Sequence, residues 1–221
     1  MKTFGKDEIA ERLATQKALP LFNCGDAATA LKTLRALHAG GIRIVEFTNR
    51  SAGALEVFRT LVAEAATVLP DMLLAAGTII DRQQAEAFHA AGAAFLVAPN
   101  LDEEVGGYCR EQDLFWCPGT GTVTEMIRAH KLGAAVMKVF PADALGGPTF
   151  IKGVRGPCGW LKLMPSGGVT LDEANLKAWF AAGAHCVGMG SHLVDAATLA
   201  EGRFDELTNR TRRLVTMLEK V

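Results

Sequence analysis

The sequence has almost no net charge: 23 lysines and arginines stand against 24 aspartates and glutamates, a formal −1 at neutral pH. No basic field is therefore available to hold a nucleic acid or an anionic membrane surface, and a small-molecule partner is the better expectation. Long apolar runs are missing too. None approaches the ~20 residues of a membrane span, and charges at Lys6, Asp7, Glu8, Glu11 and Arg12 interrupt the start before a signal-peptide core can form. A cytoplasmic protein is expected. The five cysteines (Cys24, Cys109, Cys117, Cys158 and Cys186) are widely spaced and include no CxxC pair. That argues against a disulfide framework or zinc knuckle and for reduced core thiols. No GxGxxG follows the first apolar run, which removes the dinucleotide fingerprint, and no proline- or serine-rich linker or charge block divides the chain.

What is present is a repeat of strand then helix. Eight short β-branched or apolar runs recur: ALPLFN (18–23), IRIVEF (42–47), LLAAGT (73–78), AFLVAP (94–99), LFWCP (114–118), AVMKVF (135–140), LKLMP (161–165) and HCVGMG (185–190). Amphipathic stretches such as DAATALKTLRALHAGG and DRQQAEAFHAAG separate them, each closing on a glycine suited to a left-handed cap. The pattern predicts an α/β protein: a (β/α)8 TIM barrel with an N-terminal helix, residues 1–221 forming one domain. The rival is an open doubly wound sheet. His38, His89 and His130 fall near the ends of three helices, where the helix dipole favours an imidazole, and are not read as metal ligands.

In a parallel barrel both faces of a strand are covered, so a charge in mid-strand needs a partner or a task. Lys138 in AAVMKVFPA is one such charge, sharing its face with Val136 and Phe140. Glu46 in IRIVEFTNR is the other, with Ile42 and Ile44 on its face and Arg50 four residues on. The bland readings are a lysine that snorkels from its strand or pairs with a buried acid, and a Glu46 to Arg50 ion pair that closes a loop. Taken together they suggest chemistry: an amine that attacks a ketone must shed its proton, burial favours the neutral form, and a neighbouring glutamate can shuttle protons. Lys162 lies near the start of its strand, the end associated with stability. PSGG (165–168) and GMGS (188–191) end the last two strands and precede helical segments, an arrangement whose backbone amides can hold a phosphate.

EFTNR, AAGTI, FLVAPN, CPGTGTVTE, MKVFPA, RGP, MPSGGV and CVGMGS together resemble the aldolases of 2-keto-3-deoxy-6-phosphogluconate and 4-hydroxy-2-oxoglutarate, from ALPLFN to GMGS. The resemblance implies a class I lyase in which Lys138 forms an imine with the pyruvate-derived carbon and Glu46 is the acid/base, acting through a water. It implies that Arg50 and Thr78 hold the substrate carboxylate and that Pro99 and Phe140 shape an apolar wall. Ser166, Gly167, Gly168, Gly190 and Ser191 would bind the phosphorylated half. No metal or other cofactor is expected, and the assembly is expected to be a homotrimer. Alternatives are an aldolase for a galactonate-derived acid or a phosphate-binding isomerase or epimerase barrel. Asn49, Asn100 and Ser166 depart from the family's commoner leucine, small residue and threonine, which leaves the acceptor aldehyde open.

Overall fold

The computed structural model describes residues 4–221, so residues 1–3 of the expected 1–221 domain lie outside the described residues. Helix α1 (Lys6–Gln16) precedes strand β1 (Ala18–Phe22), and then the alternation begins: α2 (Ala27–Ala39), β2 (Ile44–Thr48), α3 (Ala54–Val68), β3 (Leu73–Gly77), α4 (Arg82–Ala90), β4 (Phe95–Val97), α5 (Glu103–Glu111) and β5 (Trp116–Cys117). It continues through β6 (Gly119–Thr120), α6 (Val123–Lys131), β7 (Met137–Val139), α7 (Pro148–Arg155), β8 (Leu163–Pro165), α8 (Glu173–Ala181), β9 (Val187–Met189), α9 (Ala196–Ala200) and α10 (Phe204–Leu218). No helix among the described residues is long and apolar enough to cross a membrane.

Aspartate and glycine punctuate the helices. Asp26, Asp81, Asp102, Asp172 and Asp195 each accept a backbone N–H in the first turn, and Thr122 forms a capping box with Glu125. Gly41, Gly92, Gly133 and Gly183, the glycines that close the amphipathic stretches, carry φ of 106°, 97°, 95° and 97°. Each sits one residue beyond the helix cap, where the left-handed turn belongs.

The strands are all parallel and pair in the order β9, β1, β2, β3, β4, β5, with β6, β7 and β8 as a second run. A single parallel bridge between Ser166 and Gly188 joins β8 to β9, so the sheet curls into a ring rather than lying open. The run at 114–118 is not one strand. Pro118 has no N–H for the ladder, so the stave divides into β5 and β6 on either side of it, and Gly119 and Thr120, beyond the end of the apolar run, join the sheet.

Alternation sorts the apolar residues into two cores. Leu19, Ile44, Leu73, Ala75, Phe95, Val97, Phe115, Cys117, Val136, Met164 and Cys186 fill the barrel, and Ile9, Ala10 and Leu13 of α1 close its lower end. Val45, Phe47, Leu74, Ala76, Leu96, Met137, Val139 and Val187 face outward under the helices. Burial of this area supplies the main driving force for folding.

Candidate active site

Position in the pleat decides which side chains reach the barrel's upper interior. Lys138, central in β7 and next to Gly119 and Met164 on the flanking strands, points inward like Val136 two residues before it and is 3% exposed. Glu46 of β2 points inward above Ile44 and is fully buried. The Lys138 Nζ lies 3.9 Å from Glu46 Oε1, too far for a direct hydrogen bond but close enough for strong coupling where water is scarce. Neither carboxylate oxygen of Glu46 has a hydrogen-bond partner among the described residues. A buried carboxylate with two open oxygens is costly to keep and suited to exchanging a proton with something that enters the site. Among the described residues its ion-pair contact is Lys138, and the alternative Glu46 to Arg50 pair does not form. The bland reading of the lysine, a buried acid as partner, is thus met by the second anomaly itself.

Arg50 is exposed at the rim, where its Nε donates to Thr78 Oγ1 at 3.2 Å. Thr78 holds φ of 60°, the left-handed region that a β-branched residue rarely adopts. Phe140 is 38% exposed, with its ring centroid 5.3 Å from the Lys138 Nζ. Pro99 is half-buried, and its carbonyl lies where a Cβ on Gly119 would stand, only 2.1 Å away. Lys138, Glu46, Arg50, Thr78, Pro99 and Phe140 therefore gather at one end of the barrel. Lys162 is exposed and precedes β8 at the opposite end. Asn49 donates to Gln84 Oε1 at 3.2 Å, and the Asn100 carbonyl accepts the Gly119 N–H.

The glycine motifs lie on the same end. Ser166 is buried beside Gly188, and Gly167 and Gly168 turn with φ of 99° and 72°. Gly190 lies beneath Leu21, and Ser191 is exposed. The helices they precede begin several residues further on, α8 capped by Asp172 and α9 by Asp195. The amides offered to an anion there belong to the loops themselves. Asn175 pins the first loop, donating to the Gly168 carbonyl and accepting from the Thr170 N–H. Asp143 packs against Gly167 and Gly168. Neither stands out in the sequence: Asp143 reaches the loop from another segment, and Asn175 is one polar residue on an amphipathic helix until the loop folds back over it.

Two of the three helix-end histidines have side-chain partners, His38 Nε2 lying 2.8 Å from Asp71 and His89 Nδ1 2.8 Å from the Tyr108 hydroxyl, and His130 is exposed. No three His, Cys, Asp or Glu side chains among the described residues converge as a metal site. Burial pushes the Cys117 thiol well above its usual range and the Cys186 thiol up to about 12, so both are inert apolar filling. Two cavities, of about 450 and 770 Å³, lie at the lower end, lined by residues such as Gln16, Arg43 and Leu218 or Leu69, Met72 and Phe115; Lys138 and Glu46 line neither.

The chain is similar to known proteins along nearly its whole length. The 2-dehydro-3-deoxy-phosphogluconate aldolase of Dickeya dadantii is 34% identical over 214 residues, covering 95% of this chain and 96% of its own. The KHG/KDPG aldolase of Escherichia coli K12 is 31% identical over 204 residues, covering 92% of each. The structure superimposes with a TM-score of 0.84 on a crystal structure of KDPG aldolase from Legionella pneumophila that holds pyruvate as a covalent carbinolamine. That pair is 27% identical, covering 93% of this chain and 97% of that one. A family model described as KDPG and KHG aldolase matches residues 9–210. A buried lysine and glutamate facing each other in a ring of parallel strands, with relatives matched along nearly the whole length, lead to one conclusion: the chain belongs to the KDPG and KHG aldolase family.

Proposed function

We propose that this protein is a class I aldolase that cleaves 2-keto-3-deoxy-6-phosphogluconate to pyruvate and glyceraldehyde 3-phosphate, and cleaves 4-hydroxy-2-oxoglutarate to pyruvate and glyoxylate by the same steps. The observation that carries the reading is the buried Lys138 amine facing the Glu46 carboxylate at 3.9 Å. The neutral amine adds to the C2 ketone, giving a carbinolamine. Loss of its oxygen as water leaves a protonated imine. Glu46, directly or through a water, takes the C4 hydroxyl proton. The C3–C4 bond then breaks, its electron pair moves into the imine to give an enamine, and the aldehyde departs. Glu46 returns that proton to the enamine carbon, and addition of water to the resulting imine releases pyruvate and the free lysine. The imine nitrogen is the electron sink, so the cleavage calls for no metal.

The remaining roles are those the family resemblance implies, and the gathering of these residues at one end of the barrel supports them. Arg50 and Thr78, joined at the rim, hold the substrate carboxylate, for which a guanidinium is the natural partner. Pro99 and Phe140 form the apolar wall. Ser166, Gly167, Gly168, Gly190 and Ser191 take the phosphorylated end through loop amides and hydroxyls. We place the protein in the cytoplasm, where its five unpaired cysteines stay reduced, as a homotrimer, on the strength of the family resemblance; sedimentation at monomer mass would remove the trimer.

Borohydride reduction in the presence of pyruvate tests the mechanism. Intact-mass and peptide mass spectrometry should find the reduced pyruvyl adduct on Lys138 in the native protein and none in Lys138→Ala. No adduct, or one on Lys162, would refute the assignment. Full activity of Lys138→Ala on a sugar phosphate would point to an isomerase or epimerase instead.

A further inference from the structure

Gly77 closes β3 and pairs with Thr48 of β2. Unlike Gly167 and Gly168 it has ordinary extended backbone, so nothing in its own conformation calls for glycine. The demand is for space, and the space is occupied. A Cβ on Gly77 would stand 1.9 Å from Glu46 Oε1, 2.5 Å from its Cδ and 2.6 Å from its Cγ. Glu46 rises from the register pair below, opposite Ala75, and leans across the neighbouring strand, so its whole carboxyl end lies on the bare Cα of Gly77. The strand cannot retreat. It is paired on both sides, the Gly77 carbonyl accepts the Asn49 N–H at 2.8 Å, and Ala76 and Leu74 are buried against the helices behind it. Gly119 makes a useful contrast, because the atoms it must avoid are the backbone of Pro99 and Asn100, a requirement of the fold.

We infer that Gly77 is a positioning residue: its missing side chain is the slot that holds the Glu46 carboxylate level with the Lys138 amine. Any larger residue there turns Glu46 away and removes the proton transfer, while Lys138 keeps its place in β7 and still forms the imine. This rests on the proposed roles of Lys138 and Glu46, and two readouts with pyruvate separate the steps. Borohydride trapping reports the imine. Exchange of pyruvate methyl protons for deuterium in D2O, followed by NMR, reports removal and return of a C3 proton through the enamine.

Native protein should do both. Gly77→Ala should be trapped on Lys138 as native protein is, yet exchange methyl protons at least ~100-fold more slowly, matching Glu46→Gln. Exchange by a folded Gly77→Ala within about threefold of native would overturn the inference, and so would loss of trapping together with exchange, since that would mean a general disturbance of the site. If Gly77→Ala does not fold, the double variant Glu46→Ala with Gly77→Ala should fold as well as Glu46→Ala alone, because the colliding side chain is gone. Failure of the double variant would equally overturn it. Native protein that shows neither adduct nor exchange would sink the Lys138 and Glu46 reading itself, a result distinct from every Gly77 outcome.

Discussion

Thr78 keeps a left-handed backbone against the preference of its own branched side chain, which costs on the order of 1–3 kcal/mol. What the strain secures is a hydroxyl placed 3.2 Å from the Arg50 Nε at the rim. Replacing Thr78 by alanine or by glycine removes the hydroxyl in both cases, but only glycine relieves the strain. Urea unfolding should find Thr78→Gly more stable than Thr78→Ala by about 1 kcal/mol, while both raise the KM for substrate alike; equal stabilities would show that the backbone is relaxed. Lys138 and Glu46 were legible in the sequence because each is a charge in an otherwise apolar strand, an anomaly visible without neighbours. Gly77 and the φ of Thr78 were not, since one depends on what the next strand lays across it and the other on where the chain must turn.

Among the elements, α1 owes part of its seat beneath the barrel to one imidazole. His185 Nε2 donates to the Ala10 carbonyl at 3.0 Å, and burial lowers its pKa, with Lys162 and Arg155 adding to the effect and the hydrogen bond opposing it. A histidine that resists protonation in the folded state binds fewer protons there than in the unfolded chain, whose value is 6.5. Its contribution to stability is therefore complete above that pH and is lost as pH falls through the lowered folded value. Urea midpoints measured from pH 7 down to pH 5 should fall more steeply for the native protein than for His185→Gln; parallel slopes would remove His185 from the account. The elements themselves were readable through the glycines that close them, because a glycine that turns left is a local device. The split at Pro118 was hidden, since the neighbouring strands decide that the ladder resumes at Gly119.

For the whole molecule, the repeat of eight apolar runs carried the barrel, because a parallel sheet buried on both faces writes itself as near-continuous apolar segments. Ring closure was less visible: it rests on the bridge between Ser166 and Gly188, at small residues that also frame the site. Among the described residues, Ile9, Ala10 and Leu13 plug the lower end of the barrel and leave the upper end as its doorway. In kinetic terms, a vessel with one doorway imposes a queue. On the proposed mechanism the keto acid is tethered at Lys138 and the C3–C4 cleavage frees the aldehyde while pyruvate is still held as the enamine, so the aldehyde should leave first and pyruvate last. Product inhibition should accordingly find pyruvate competitive with the keto acid and the aldehyde non-competitive; the reverse pattern would mean that a second way out opens during turnover.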